Sequence, residues 1–142
     1  MIADVNAIVS AEAQKNWEQT IESASQRPVF ISHATGNIAM LSFQTLSALL
    51  STVQYKAAEL KEDDGSVTLS LDDIDIAVNA ETLPAAKVAL AHAIQEYAEE
   101  YYSNFETYSA APNRRNHLPY IMKALIAKSN DEISAHIVYR KR

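Results

Sequence analysis

The 142-residue chain contains no cysteine. Disulfides, thiolate catalysis and cysteine-ligated zinc are therefore excluded. Glycine occurs twice and proline four times. So few glycines argue against phosphate-cradling loops and against a turn-rich all-β fold. No stretch approaches the roughly 18 apolar residues of a membrane span. No basic segment followed by an apolar run opens the sequence, as a secretory leader would. A soluble, cytoplasmic chain with no membrane association is the expectation. The Gly-x-Ser-x-Gly, P-loop and His-Glu-x-x-His patterns are missing as well. This argues against a hydrolase, a nucleotidase or a metalloprotease, and neither catalysis nor a cofactor is expected.

Hydrophobic residues make up 48% of the chain, which is typical of a sequence that folds. The net charge is −6, but it is unevenly spread. Residues 66–112 hold one lysine against eight acids, whereas residues 113–142 hold seven bases against two acids. Such asymmetry suggests that the two segments pair with each other or serve a charged partner. The acidic total counts against a general nucleic-acid binder.

Local patterns predict an α+β chain. Val5–Val9 reads as a short strand, and Ser10 as the cap of a helix whose first turn carries Glu12. Ala13, Trp17, Ile21 and Ala24 form its apolar stripe, and Arg27-Pro28 ends it. Two apolar runs, Pro28–His33 and Ile38–Leu41, flank a turn containing Gly36 and predict a hairpin. Ser42 then caps a second helix with an apolar face of Phe43, Leu46, Leu49, Leu50 and Val53. The polar stretch 60–66 reads as a loop. Residues 67–71 and 74–78 alternate as half-buried strands. A long helix is predicted from about Leu83 to Tyr108, with Thr82 as cap and Pro84 in its first turn. Another follows over 119–128. Residues 130–139 fit a helix or a strand equally well.

The runs Ser10-Ala-Glu-Ala-Gln-Lys-Asn-Trp17, Pro28-Val-Phe-Ile-Ser-His33 and Gly36-Asn-Ile-Ala-Met-Leu-Ser-Phe-Gln-Thr-Leu46 together resemble the Phd/YefM antitoxin domain. The resemblance covers roughly residues 1–53. It implies a strand–helix–hairpin–helix domain over 1–55 that dimerises and binds operator DNA. A linker at 56–66 and a C-terminal α+β partner-binding region at 67–142 would follow. Residues 67–108 also resemble, in element order alone, the strand–strand–helix domain of HicB-type antitoxins. The Phd/YefM resemblance implies an autoregulating homodimer whose C-terminal part holds a RelE-type ribonuclease toxin. Carried over by position, the DNA-facing residues are Ser10, Gln14, Lys15, Asn16, His33 and Asn37. Helix N-termini attract phosphate, Gln and Asn read adenine, and Lys neutralises a phosphate. The family usually has arginine where Gln14 and His33 stand. An adaptor dimer or orphan regulator without a toxin is therefore the alternative.

In the second half, Tyr97, Tyr101, Phe105 and Tyr108 recur at helical spacing. They read either as a core stripe or as a face that anchors a partner, with the glutamates beside them suited to a basic toxin. Arg114-Arg115 reads as a loop pairing with the acidic segment, and Arg140–Arg142 as a solvated tail. Asp73 and Asp75 fall on one solvated strand face, without the further ligands a metal needs. His33, His92, His117 and His136 show no zinc spacing, so no metal site is expected.

Overall fold

In the computed structural model the chain divides into two compact units, Met1–Leu49 and Leu50–Arg142. Residues 7–141 are described. Val5 and Asn6, the first part of the expected opening strand, and Arg142 of the expected tail lie outside them.

The first unit holds β1 (Ile8–Val9), α1 (Ser10–Lys15), α2 (Trp17–Gln26), β2 (Val29–Ser32), β3 (Ile38–Met40) and α3 (Phe43–Leu49). Strand β1 pairs parallel to β2, and β2 pairs antiparallel to β3 as the hairpin expected from sequence. Its turn uses Gly36 at φ 141°, a conformation that side chains rarely adopt. The first helix differs from expectation in two ways. Val9, not Ser10, occupies the cap position, and no side chain caps the helix. The helix also breaks at Asn16, which has φ −114° and ψ 44°. Thr20 Oγ1 donates to the Asn16 carbonyl at 2.9 Å, a local bond of the kind that competes with regular helix. The break shifts the phase of the apolar stripe. Ala13, Thr20 and Ala24 are buried, while Trp17 is 50% exposed and Ile21 lies outside with it. Ser42 does cap α3, accepting the Thr45 backbone N–H at 3.1 Å.

The second unit is built on a four-stranded sheet in the order β6-β5-β4-β7. Its strands are β4 (Tyr55–Lys61), β5 (Val67–Leu71), β6 (Ala77–Ala80) and β7 (Ile137–Lys141). Only β4 and β7 run parallel. The expected linker at 56–66 is overturned, because most of it is β4, a central strand with Ala57 and Ala58 buried. The tight turn after it uses Gly65 at φ 88°. Residues 72–76 are a bend rather than strand, with Ile74 turned into the core. The long helix is α4 (Leu83–Ser103), capped as expected by Thr82. It breaks at Asn104 and continues as α5 (Phe105–Ala110). A 3-10 turn at Arg115–His117 leads into α6 (Leu118–Leu125), and α7 (Asn130–Ala135) precedes β7. The undecided 130–139 segment is thus both helix and strand. Arg140 sits on β7 and pairs with Asp72 at 2.6 Å, so it is no free tail residue.

Helix α4 packs against α6, α7 and the sheet. Ala86, Leu90, Ala91, Ile94, Ala98 and Tyr101 form its buried face. Tyr55 donates its hydroxyl to the Tyr120 carbonyl at 2.6 Å. Lys123 donates its ammonium to the Leu50 and Val53 carbonyls, and burial lowers its pKa.

Leu90 is fully enclosed in this core. The Leu90→Ala variant should lose about 2–5 kcal/mol of unfolding free energy. Urea denaturation followed by far-UV circular dichroism measures the loss. A loss under about 1 kcal/mol would show that α4 does not organise the second unit.

Candidate functional site

In the first unit the six residues expected to face DNA lie on α1, at its C-cap and in the hairpin turn. Ser10 and Gln14 line a groove of about 420 Å³ whose other walls are apolar, including Trp17, Ile38 and Met40. Asn16 lines a different groove of about 680 Å³, with Glu12, Gln19 and Arg27. His33 and Asn37 stand exposed in the hairpin turn. There the Thr35 backbone N–H donates to His33 Nδ1 at 3.3 Å, and the Thr35 hydroxyl lies 2.9 Å from the same nitrogen. Lys15 is exposed in the last turn of α1. Helix α1 has only six residues and no side-chain cap. Arg27, the unit's second permanent cation, is exposed just after α2.

This unit buries very little of its own. Ala13, Thr20, Ala24 and Ile31 are its buried residues among those described. Val9, Trp17, Ile21, Phe30, Ile38 and Phe43 are exposed large hydrophobics. A core of that size is well below what an independently stable unit requires, and the exposed residues include walls of the apolar groove.

In the second unit the aromatic stripe turns inward. Tyr101 is 0% exposed and donates its hydroxyl to the Arg114 carbonyl at 3.0 Å. Its ring meets those of Tyr97, Phe105 and Tyr108 edge-on, with centroids 5.5–6.0 Å apart. Tyr101 therefore has no surface to offer a partner, which corrects that expectation. Tyr97 and Tyr108 are half-buried, and the Arg114 guanidinium stacks over Tyr108 at 4.3 Å and Tyr97 at 5.7 Å. Phe105 stays 40% exposed, and Tyr102, absent from the sequence expectation, is 66% exposed. Its position one residue past Tyr101 turns it about 100° around α4 from the buried ring.

Glu96, Glu99, Glu100 and Glu106 are exposed on α4 and α5. Among the described residues the ion pairs are His92–Glu96 at 2.8 Å and Arg140–Asp72 at 2.6 Å. The expected pairing of acidic and basic segments is thus made by Arg140 alone. Asp73 and Asp75 carry no ion pair, and no three His, Cys, Asp or Glu side chains converge as a metal site among the described residues. No described helix is long and apolar enough to cross a membrane.

His117 is 8% exposed. Its Nδ1 lies 2.7 Å from the Tyr97 hydroxyl. Burial lowers its pKa, Asp75 acts against that, and Arg114 reinforces it. Burial raises the Tyr97 pKa, so the phenol keeps its proton.

Comparison with known proteins gives two similarities. Residues 2–139 match the family described as PHD-like, antitoxin of toxin-antitoxin, RelE/RelB, TA system. A crystal structure from Syntrophomonas wolfei subsp. wolfei, the antitoxin part of a proposed toxin/antitoxin system, superposes with a TM-score of 0.89. It is 28% identical, and the alignment covers 96% of this chain and 99% of that one. No curated protein matches the sequence.

The lowered His117 pKa sets a direction of pH dependence. The unfolded chain takes up the proton first, near the ordinary value of 6.5. Stability is then complete above that value and declines as pH falls from it towards the folded-state pKa. Thermal midpoints measured from about pH 7.5 to about pH 5 should fall more steeply for the wild type than for His117→Gln. Parallel curves would rule out this contribution.

Proposed function

This chain belongs to the PHD-like family of RelE/RelB toxin–antitoxin antitoxins, and on that premise we propose a two-part division of its work. The first unit dimerises and contacts operator DNA, so that the antitoxin represses its own operon. The second unit binds and neutralises a basic, RelE-like ribonuclease. The observation that carries the dimer is the mismatch in the first unit between its few buried residues and its exposed Trp17, Ile38 and Phe43. A second copy offers matching apolar surface by symmetry. Gln14, Lys15, Asn16, His33 and Asn37 are exposed and Ser10 is half-buried, so all six are polar groups available to DNA. With two permanent cations in the unit, the phosphate contribution is small, which favours an adaptor or orphan regulator as the second reading.

On the second unit the toxin-facing surface is the outer side of α4 and α5. Tyr102 and Phe105 supply aromatic anchors, and Glu96, Glu99, Glu100 and Glu106 supply charge opposite to that of an RNA-binding protein. Of the expected partner-facing residues Tyr97, Tyr101, Phe105 and Tyr108, this reading keeps Phe105 and adds Tyr102.

Three measurements test the division. In analytical ultracentrifugation the full chain should sediment as a dimer and Ile38→Asp as a monomer with the second unit still folded. Lys15→Ala should weaken a salt-sensitive operator shift. A dimer that survives Ile38→Asp, or unaltered DNA binding by Lys15→Ala, would remove the respective assignment. Co-expression with the neighbouring gene products should yield a small basic protein at fixed stoichiometry. The double variant Glu99→Lys/Glu106→Lys should weaken that complex by about tenfold or more. Elution without any partner would favour the orphan-regulator reading.

A further inference from the structure

From Pro28 to Tyr55 the sequence contains no Asp, Glu, Lys or Arg, although these residues make up 21% of the chain. That stretch runs through β2, the hairpin turn, β3 and α3. Charged residues normally populate a surface that faces water. Their loss beside exposed apolar side chains is the composition of an interface core.

Helix α3 has no buried residue. Phe43 and Leu49 are 67% and 68% exposed, more than any other large apolar side chain of the first unit among the described residues. Leu46, half-buried, stands between them. The three recur at every third position and so share one stripe along the helix. The apolar groove of about 420 Å³ has the complementary deficit. Ala13 and Ile31 lie buried along it, and Trp17, Ile38 and Met40 wall it. No residue of α3 lines it, so the helix does not cover the groove of its own copy. The volume falls in the roughly 300–1,000 Å³ range of pockets that enclose a small ligand. It takes large side chains, not a whole helix.

Charge selects the occupant. Neither the groove lining nor α3 contains a charged residue. DNA and a basic toxin are strongly charged, and neutral apolar walls offer them no complementary potential. The apolar stripe of an uncharged helix does match, and the chain itself carries one. We propose that two copies exchange this helix, with Phe43, Leu46 and Leu49 of each packing into the groove of the other against Trp17, Ile38 and Met40. The inference rests on the dimer proposed above and names the surfaces that form it. The contact is of the helix-in-groove kind, anchored at regular spacing along one helix face. Helix and groove belong to the same unit, so a two-fold axis makes both contacts at once and closes the assembly. One-way insertion would leave a groove and a helix uncovered at the ends, and copies would add without limit.

The test uses the full chain, mixed from methyl-labelled and unlabelled copies and followed by isotope-filtered NMR. The Ile38 and Met40 methyl groups of a labelled copy should show NOEs to the Phe43 ring of an unlabelled one. A dimer without these cross-copy NOEs overturns the exchange and leaves the dimer reading standing. A monomer overturns both. The double variant Phe43→Ser/Leu49→Ser should raise the dimer dissociation constant by about tenfold or more. Its far-UV circular dichroism should stay close to that of the wild type, because α3 buries no residue within its own copy. Gln44→Ala, off the apolar stripe, should leave the dissociation constant unchanged. A wild-type constant for the double variant, or an equal rise for Gln44→Ala, overturns the proposal.

Discussion

Helix α4 has two sides, and the sheet takes one of them. Leu90, Ile94, Ala98 and Tyr101 are nearly or completely enclosed, and their burial is the main favourable contribution available to the second unit. Once that side is committed, the rest of the unit follows from it. Tyr101 draws Tyr97, Phe105 and Tyr108 into an edge-on cluster. Its hydroxyl holds the Arg114 carbonyl, which positions the turn carrying His117. The same commitment sends Tyr102 and the glutamates outward. The inner face and the charged outer face are thus consequences of one helix orientation.

The first unit is under the opposite constraint. It has the elements of a domain, namely a sheet, a hairpin and capped α3, but not the apolar volume. Among the described residues its buried hydrophobic side chains are two alanines and one isoleucine. The larger apolar groups, Trp17, Phe30 and Ile38, lie on the surface. The kink at Asn16 contributes directly, because it moves Trp17 and Ile21 off the stripe that Ala13 begins. A straight helix would have buried more within the unit and left a smaller apolar groove.

Much of the architecture was legible in local signals. Thr82 and Ser42 cap the helices they precede, and Gly36 sits at the hairpin turn, because caps and positive-φ turns depend on neighbours a few residues away. Strand β4 was not legible. Its open side carries Lys56 and its end carries Lys61, and its inward positions include Ala57, so neither period nor bulk marks it as central. Being paired on both sides is a tertiary property. The helix breaks at Asn16 and Asn104 were missed for a related reason, since asparagine is tolerated in helices and only its side-chain and backbone bonds show where it ends one. Of the candidate site residues, spacing correctly grouped the tyrosines. It did not tell which side of the helix they share with the core, so the enclosed Tyr101 was not distinguished from the exposed Phe105.

The charge pattern carries the last step. Residues 113–142 hold bases enough to neutralise much of the acidic segment, yet the fold directs several of them elsewhere. Arg114 stacks on Tyr108 and Tyr97. Lys123 holds the carbonyls of Leu50 and Val53. Lys87, inside the acidic segment, sits over the Tyr139 ring at 4.5 Å. Each of these cations is fixed by packing that the core requires, so it cannot swing out to meet Glu99, Glu100 or Glu106. Like charges gathered on one face without counterions disfavour the folded state slightly. A surface that carries this cost beside two exposed aromatic rings gains most by meeting a cationic one, which is the physical ground for proposing the outer side of α4 and α5 as the partner face.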